Sequence, residues 1–406
     1  MLLSIITPTH KPEFLMRLYE SLKIQTCKDF EWVVCPNNGA DVSFLPKEDW
    51  IRIVPDDSGN KLIGAIKNFA FNQGIGDWLA EVDHDDEITA DCVEEILKAA
   101  GEKECDFIYS DGIDLMPGNT ANVFNSNNNW TYYPYTYKDT IYTINRTFLP
   151  TPQSVSRIWF APNHIRVWKK DFYKKIGGHD ITLKALDDQD LMCRTYIEGK
   201  MHKIEKVLYV YYYHDSNSFA SQELNKWIQE YTWVLYEKYI ERMMRRWCND
   251  NKLYIIDINK RSTREGCLKV DLDNLNFGQT VYGKVGLVIA DDALQLYKDP
   301  KQTMETIWKL LAHNGMLLSS TPSTDGRGAF QDPTHVSFWN ANSFWYYTKQ
   351  TFAKFIDTRV KFQATYVKDW TPSDYHKSVK IEYVIGHLTA IKDEQKRGMI
   401  PGVTEI

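Results

Sequence analysis

No Cys-x-x-Cys pair occurs in the sequence. The seven cysteines, Cys27, Cys35, Cys92, Cys105, Cys193, Cys248 and Cys267, are scattered and odd in number. Zinc ribbons and disulfide frameworks are thereby excluded, and reduced thiols of a cytoplasmic protein are the plain reading. No apolar run approaches the roughly 20 residues of a membrane helix. The short run Leu2–Ile6 lacks a basic flank and is no signal h-region. A cytoplasmic location without a membrane span is therefore expected. Basic residues are not in excess: 48 Lys and Arg face 54 Asp and Glu, for a net charge of −6. That balance argues against a nucleic-acid partner. Repeats are also absent.

What is present is ordinary globular material, 43% hydrophobic and 25% charged, in a chain of 406 residues that suggests two or three domains. Aromatics are conspicuous at 14%. Such residues need to pack, stack on ligands or line an interface.

The first hundred residues alternate between strand and helix patterns. Leu2–Thr7 reads as a strand, Glu13–Gln25 as a helix with Phe14, Leu15, Leu18 and Leu22 on one stripe, and Phe30–Cys35 as a second strand. Pro36-Asn37-Asn38-Gly39 is a turn. Ile51–Val54, a helix over Leu62–Asn72 and the strand Trp78–Val82 follow. This alternation predicts an α/β fold, a parallel sheet with helices on both faces, whose carboxyl-end rim gathers Thr7, Asn37 and Asp83. Asn119–Arg157 is rich in Asn and Tyr and reads as a long irregular binding loop. Gln222–Asn249 reads as a connecting helix. A second alternation begins at Leu253, with strands near Cys267–Asp271, Gly286–Ala290 and Gly315–Ser320 and a helix over Lys301–His313.

Asp83-His84-Asp85-Asp86 ends the fourth strand. If that stretch stays extended, Asp83 and Asp85 share a face. Carboxylates so close repel unless a cation sits among them, and hard oxygen ligands suit Mg²⁺ or Mn²⁺ shared with a phosphate.

Here the residues resemble a family. Ser4-Ile5-Ile6-Thr7-Pro8-Thr9, Trp32-Val33-Val34, the Asn37 turn, Lys67-Asn68, and Gly76–Ala80 leading to Asp83-x-Asp85-Asp86 are similar to an inverting family-two glycosyltransferase. Gly177-Gly178-His179-Asp180, Asp187-Asp188-Gln189-Asp190-Leu191 and His214-Asp215-Ser216-Asn217-Ser218 continue the resemblance in order. It implies a GT-A fold over residues 1–220, with 221–250 as a helical connector.

The resemblance also implies roles. Thr7, Pro8, Thr9, Asn37 and Lys67 would contact the donor nucleotide. Asn37 stands where many relatives have Asp, which leaves the nucleobase open between a UDP- and a GDP-sugar. Asp83 would touch the donor ribose or the metal, and Asp85 would ligate Mn²⁺ or Mg²⁺. His214 is a further metal or diphosphate contact or a structural residue. Asp188 would be the general base, with Asp187 as the alternative; both stand at a helix start, where acids also serve as caps. Trp159, His164 and Trp168 are acceptor candidates. The acceptor would be a glycan or another hydroxyl compound, which places the reaction in polysaccharide biosynthesis.

Residues 251–406 resemble a class I methyltransferase of the S-adenosylmethionine type, through Leu287–Leu294, Asp299-Pro300 and His313–Leu318. A Rossmann-like fold is implied. The stretch Asp257–Ser262 lacks the family's glycine turn, so S-adenosylmethionine is not expected to bind. A degenerate domain for docking, acceptor placement or homo-oligomerisation follows. Two rival readings remain: a bifunctional glycosyltransferase and methyltransferase, and an inactive carbohydrate-binding or scaffold protein.

Overall fold

The computed structural model describes residues 1–126, 129–158, 162–214, 222–262, 264–275 and 281–392. The chain divides into two compact units, Met1–Ile240 and a second from Glu241 onward.

The first unit is built on a nine-stranded sheet. Its opening elements are β1 (Leu3–Thr9), α1 (Leu15–Lys23), β2 (Phe30–Pro36), β3 (Ile51–Ile53), α2 (Ile63–Gln73) and β4 (Trp78–Glu81). Strands β1 and β2 are buried along nearly their whole lengths, as expected of strands covered on both faces. The order β3-β2-β1-β4 is parallel throughout, as the alternation predicts.

The remainder departs from a purely parallel sheet. It comprises β5 (Glu87–Ile88), α3 (Cys92–Glu102), β6 (Phe107–Met116), β7 (Thr120–Ala121), β8 (Tyr132–Tyr137), β9 (Thr140–Asn145), α4 (Pro152–Arg157), β10 (Arg166–Lys169), α5 (Lys170–Lys175), α6 (Asp187–Glu198), β11 (Met201–Tyr212) and α7 (Gln222–Asp250). The full order is β3-β2-β1-β4-β10-β6-β11-β5, with β7 on β6. Strand β10 runs antiparallel to both neighbours. Its first residues therefore lie on the same rim as the carboxyl ends of β4 and β6.

The segment Asn119–Arg157 is not one irregular loop. Strands β8 and β9 form a hairpin paired from Tyr132↔Asn145 to Tyr137↔Thr140. Its two turn residues, Lys138 and Asp139, have φ of 45° and 62°, the left-handed pair that matches strand twist. The turn carries no glycine, so the sequence signal for it is weak. The alternating tyrosines of β8 pack on Ile113, Leu115, Val207 and Val210, a fit typical of aromatic strand residues. Glu87 pins the hairpin: it accepts from Tyr137 Oη at 2.6 Å, Lys138 Nζ at 2.7 Å and Tyr212 Oη at 3.0 Å.

Two details place the helices that bear the site. Gly64, at the start of α2, lies so close to Asp180 that a Cβ there would come within 1.9 Å of the Asp180 carbonyl oxygen. On α6, the buried Asp190 carboxylate is held by Arg194 at 2.6 Å, Lys238 at 2.9 Å and Tyr239 Oη at 2.6 Å.

The second unit has a six-stranded sheet, ordered β13-β12-β14-β15-β17-β16. Its elements are β12 (Tyr254–Asp257), β13 (Leu268–Lys269), β14 (Val285–Asp291), α8 (Pro300–Leu310), β15 (Leu311–Pro322), β16 (Phe362–Trp370) and β17 (Tyr383–Ala390). Strands β13, β12, β14 and β15 are parallel, and β17 is antiparallel to both neighbours. Asp299 caps α8 by accepting from Gln302 N at 3.0 Å, and Pro300 occupies the first turn.

Asp190→Ala leaves the partly buried Arg194 guanidinium without its carboxylate. We expect a loss of about 3 kcal/mol, seen as a lower urea midpoint for the first unit.

Candidate active site

A cavity of about 690 Å³ opens along the rim of the first sheet. Crossing the rim, it meets Asn37 after β2, Pro8 on β1, Asp83 after β4, His164 and Arg166 at β10, and Asp114 on β6. Lys67 from α2 and Asp187 and Asp188 from α6 close its wall.

The floor is an alternating row of charges. Glu81 lies in β4 and is buried. Lys67 forms an ion pair with it. Arg166 stands 3.6 Å from Glu81 and 2.8 Å from Asp188. Burial alone would push Glu81 up, but Lys67 and Arg166 hold its carboxyl well below the usual range. Burial likewise works against charge on Lys67, and the carboxylates of Glu81 and Asp187 override it, so the ammonium stays protonated.

The two candidate bases differ in surroundings. Asp188 has about a fifth of its side chain open (21%). Burial opposes its ionisation, yet Arg166 and Lys67 hold its carboxyl below the ordinary value. Asp187 is buried and pushed up to about 7, chiefly by burial, with Asp188 repelling it and Lys67 opposing the rise. Its Oδ2 is 3.8 Å from His179 Nε2, and neither atom has a hydrogen-bond partner. Burial drives His179 down to about 3, so that ring is neutral. Leu186, just before α6, sits in the left-handed region at φ 59°. A non-glycine residue there stores strain of the kind found at functional sites. The positive end of the α6 dipole faces its three first-turn acids.

The acidic turn does not stay extended. His84 and Asp85 form a turn, so Asp83 and Asp85 do not share a strand face. Asp86 points away from the cavity and anchors the turn: it accepts from Tyr209 Oη at 2.7 Å and Tyr212 N at 2.9 Å. The Asp83 N–H in turn donates to Tyr209 Oη at 3.1 Å. Burial, then repulsion from Asp85 and Asp83, raises the Asp86 carboxyl well above its usual range.

Two groupings could hold a cation. Glu81, Asp83 and His164 offer ligand atoms within 4.8 Å of one another, and Glu81 Oε2 and His164 Nε2 lack hydrogen-bond partners. Lys67 and Arg166 already neutralise Glu81, however, and a divalent ion there would face both. The other grouping is Asp85 with His214, whose Nε2 is 2.6 Å from Asp85 Oδ2. Phe14 stacks on the His214 ring at 5.1 Å. Asp83, 30% exposed, lines the cavity together with Asp85.

Of the residues singled out from sequence, Pro8, Asn37, Lys67, Asp83, Asp85, His164, Asp187 and Asp188 line this one cavity. Thr7, Thr9 and His214 do not. Thr7 is buried, donating to Val82 O at 2.9 Å and accepting from Trp32 Nε1 at 3.0 Å, and Thr9 accepts from Lys11 N at 3.3 Å. Trp168 is also off the cavity: it is fully buried and donates to Thr195 Oγ1 at 3.0 Å, because it shares Arg166's face of the central strand β10 but lies two residues further from the rim, beneath α6. Trp159 lies outside the described residues. Glu81, Arg166, Asp114, Asn122 and Phe124 were not legible as site residues. For Glu81 and Arg166 a signal existed: a charge inside an apolar strand demands a buried partner.

Residues 4–160 match the sequence model of the family described as Glycosyl transferase family 2. No curated protein matches the chain. Among solved structures, the chain is similar to S. aureus TarS 1–349 in complex with UDP-GlcNAc, at 17% identity and a TM-score of 0.42, over 60% of this chain and 72% of that one. S. aureus TarS is similar at 18% identity and a TM-score of 0.42, over 60% of this chain and 43% of that one. TarS 1–349 in complex with UDP is similar at 16% identity and a TM-score of 0.40, over 66% of this chain and all of that one (100%).

The raised Asp187 carboxyl has a consequence for stability. Such a group favours the folded state fully below its unfolded value near 4, and that contribution is lost as pH rises through about 7. We expect unfolding free energy to fall over this window, and Asp187→Asn to remove that part of the fall in urea titrations run from pH 4 to 8.

Proposed function

We propose that this chain, a glycosyltransferase by its family-two domain, transfers a sugar from a nucleotide diphosphate sugar to a hydroxyl acceptor with inversion at the anomeric carbon. The observation that carries the reading is the rim cavity. Asn37, Asp83 and a partly open Asp188, whose carboxyl is held below its ordinary value, all line it.

The UDP or GDP of the donor fits the β2 side, where Pro8, Asn37 and Asn38 supply a flat wall and amide groups. The diphosphate then reaches Asp83. Asp83, Asp85 and His214 would hold Mn²⁺ or Mg²⁺, which when bound neutralises the diphosphate as a leaving group. Asp188 accepts the proton of the acceptor hydroxyl. The acceptor oxygen attacks the anomeric carbon, and the bond to the diphosphate oxygen breaks with its electron pair leaving on the nucleotide. Attack opposite the leaving group inverts the centre. Arg166 keeps Asp188 ionised and oriented, and Lys67 keeps Glu81 neutralised beneath the site. An inactive scaffold needs no open, ionised carboxylate held this way.

For the second unit we favour a degenerate methyltransferase-type domain. Its strand order reverses between β12 and β14, the position where such sheets bind ligands. That crevice is laced by its own side chains. Asn259 Nδ2 donates to Asp291 O at 2.8 Å, Arg264 pairs with Asp291 at 2.6 Å, and Asp257 accepts from Arg264 N at 2.8 Å. These contacts argue against S-adenosylmethionine binding and against a bifunctional enzyme. They leave docking, acceptor placement or self-association as its use. No helix of the described residues is long and apolar enough to cross a membrane.

Asp188→Asn is expected to lower kcat by about 10³-fold or more while leaving donor Kd within twofold. Because Arg166 depresses the Asp188 carboxyl, kcat/KM should be flat from pH 5.5 to 7; a tenfold rise per unit toward 7 would instead assign the base to Asp187. Asp85→Ala should abolish Mn²⁺-dependent stabilisation by UDP or GDP in thermal-shift assays without lowering the Tm of the free protein. The product anomer, read by proton NMR, decides inversion.

A further inference from the structure

We propose that the end of the cavity beyond Asp188 is a separate subsite, built by Asp114, Asn122, Phe124 and Tyr213, that takes an uncharged sugar unit of the acceptor. The inference rests on the glycosyl transfer argued above and names the acceptor class.

The rim supplies the direction. Asp83 follows β4, Arg166 with its partner Asp188 lies on β10, and Asp114 lies on β6, in that spatial order. Across the sheet, at about 4.8 Å per strand, β6 lies two strand spacings, about 10 Å, from β4. A displacement in line puts the incoming hydroxyl on the side of the anomeric carbon away from the diphosphate. With the diphosphate at β4 and the base, Asp188 of α6, held against Arg166 of β10, the acceptor lies toward β6 and β11.

The lining on that side suits a sugar. Asp114 is buried on the cavity wall, and its Oδ2 accepts from Asn145 Nδ2 at 3.1 Å. Burial pushes the Asp114 carboxyl up to about 7, and either as an acceptor or as an O–H donor it can serve sugar hydroxyls as well as Asn145. The Asn122 backbone donates to Asp114 O at 2.7 Å, which sets the Asn122 side chain beside it on the wall. The Phe124 ring, braced 4.7 Å from Trp130, lines the cavity as an apolar face. Such a face packs against the C–H side of a pyranose.

Charge sets the class. Lys61 and Lys67 line the cavity from α2 and the residues just before it, Lys11 lines it from beyond β1, and Arg166 lines it at β10. Among the described residues, no Lys or Arg from β6, β11 or the segment between β6 and β8 lines the cavity. An anionic acceptor would find no cationic side chain on that part of the lining. The wall there also comes from the segment after β6, chain that varies without disturbing the sheet.

The full chain is applied to an array of neutral and acidic oligosaccharides, with and without UDP and Mn²⁺. The expected result is retention of neutral glycans. Asp114→Asn, which keeps an acceptor for Asn145, and Phe124→Ala should each weaken that retention at least tenfold. Kd for UDP with Mn²⁺, by calorimetry, should stay within twofold and Tm within 3 °C. Retention of acidic glycans alone, no retention of any glycan, or unchanged retention by both variants overturns the subsite. Weakened UDP binding in the variants overturns it as well, since it would move these residues to the donor end. Failure of the glycosyl-transfer reading shows separately, as absence of binding of any nucleotide diphosphate to the unaltered chain.

Discussion

The active rim depends on one buried row of alternating charge, Lys67–Glu81–Arg166–Asp188. Each member comes from a different element: α2, β4, β10 and α6. Any one of these charges left alone in the interior would cost several kcal/mol. Together they satisfy one another only when two helices and two strands are brought to a common place. The row therefore constrains the fold, and the fold delivers an ionised carboxylate to the cavity. Its two ends differ in consequence. Lys67 closes one end beneath the donor side, and Asp188 opens the other toward solvent.

Around this row, carboxylates divide into those that face the cavity and those that hold the frame. Asp86 ties the acidic turn to Tyr209 and Tyr212. Glu87 ties the Tyr-rich hairpin to the same strand. Asp190 fastens α6 to α7. With these turned inward as anchors, Asp83, Asp85, Asp187, Asp188 and Asp114 are the acids left on the cavity wall. Much of the aromatic content finds its reason here too. Tyr137, Tyr209, Tyr212 and Tyr239 carry both an apolar body for the core and a hydroxyl for a buried carboxylate.

The parallel half of the first sheet was legible because its strands and helices are local patterns. Leu3–Thr9 and Phe30–Pro36 are short apolar runs ended by turn residues, and α1 carries its apolar stripe at helical spacing. The hairpin β8–β9 was not legible, because its turn is Lys-Asp and carries no glycine, and because Tyr and Thr alternate without an obvious polar face. Strand β10 was missed for another reason. It is four residues long and gains its place only by filling the gap between β4 and β6. In the second unit the parallel strands were read, while the antiparallel pair β16 and β17, formed by non-local contacts, was not.

The same division holds for the site. The amino-acid sequence by itself determined which carboxylates gather near the rim, since spacing within Asp83-His84-Asp85-Asp86 and Asp187-Asp188 is a property of adjacent residues. Only the tertiary structure decided what each one does. Asp86 became an anchor, Asp187 a buried carboxyl pushed up to about 7 and Asp188 an open carboxylate held low because of the strands and helices that surround them. A protonation state follows from burial and from partners distant in the chain, and neither is written in a local motif.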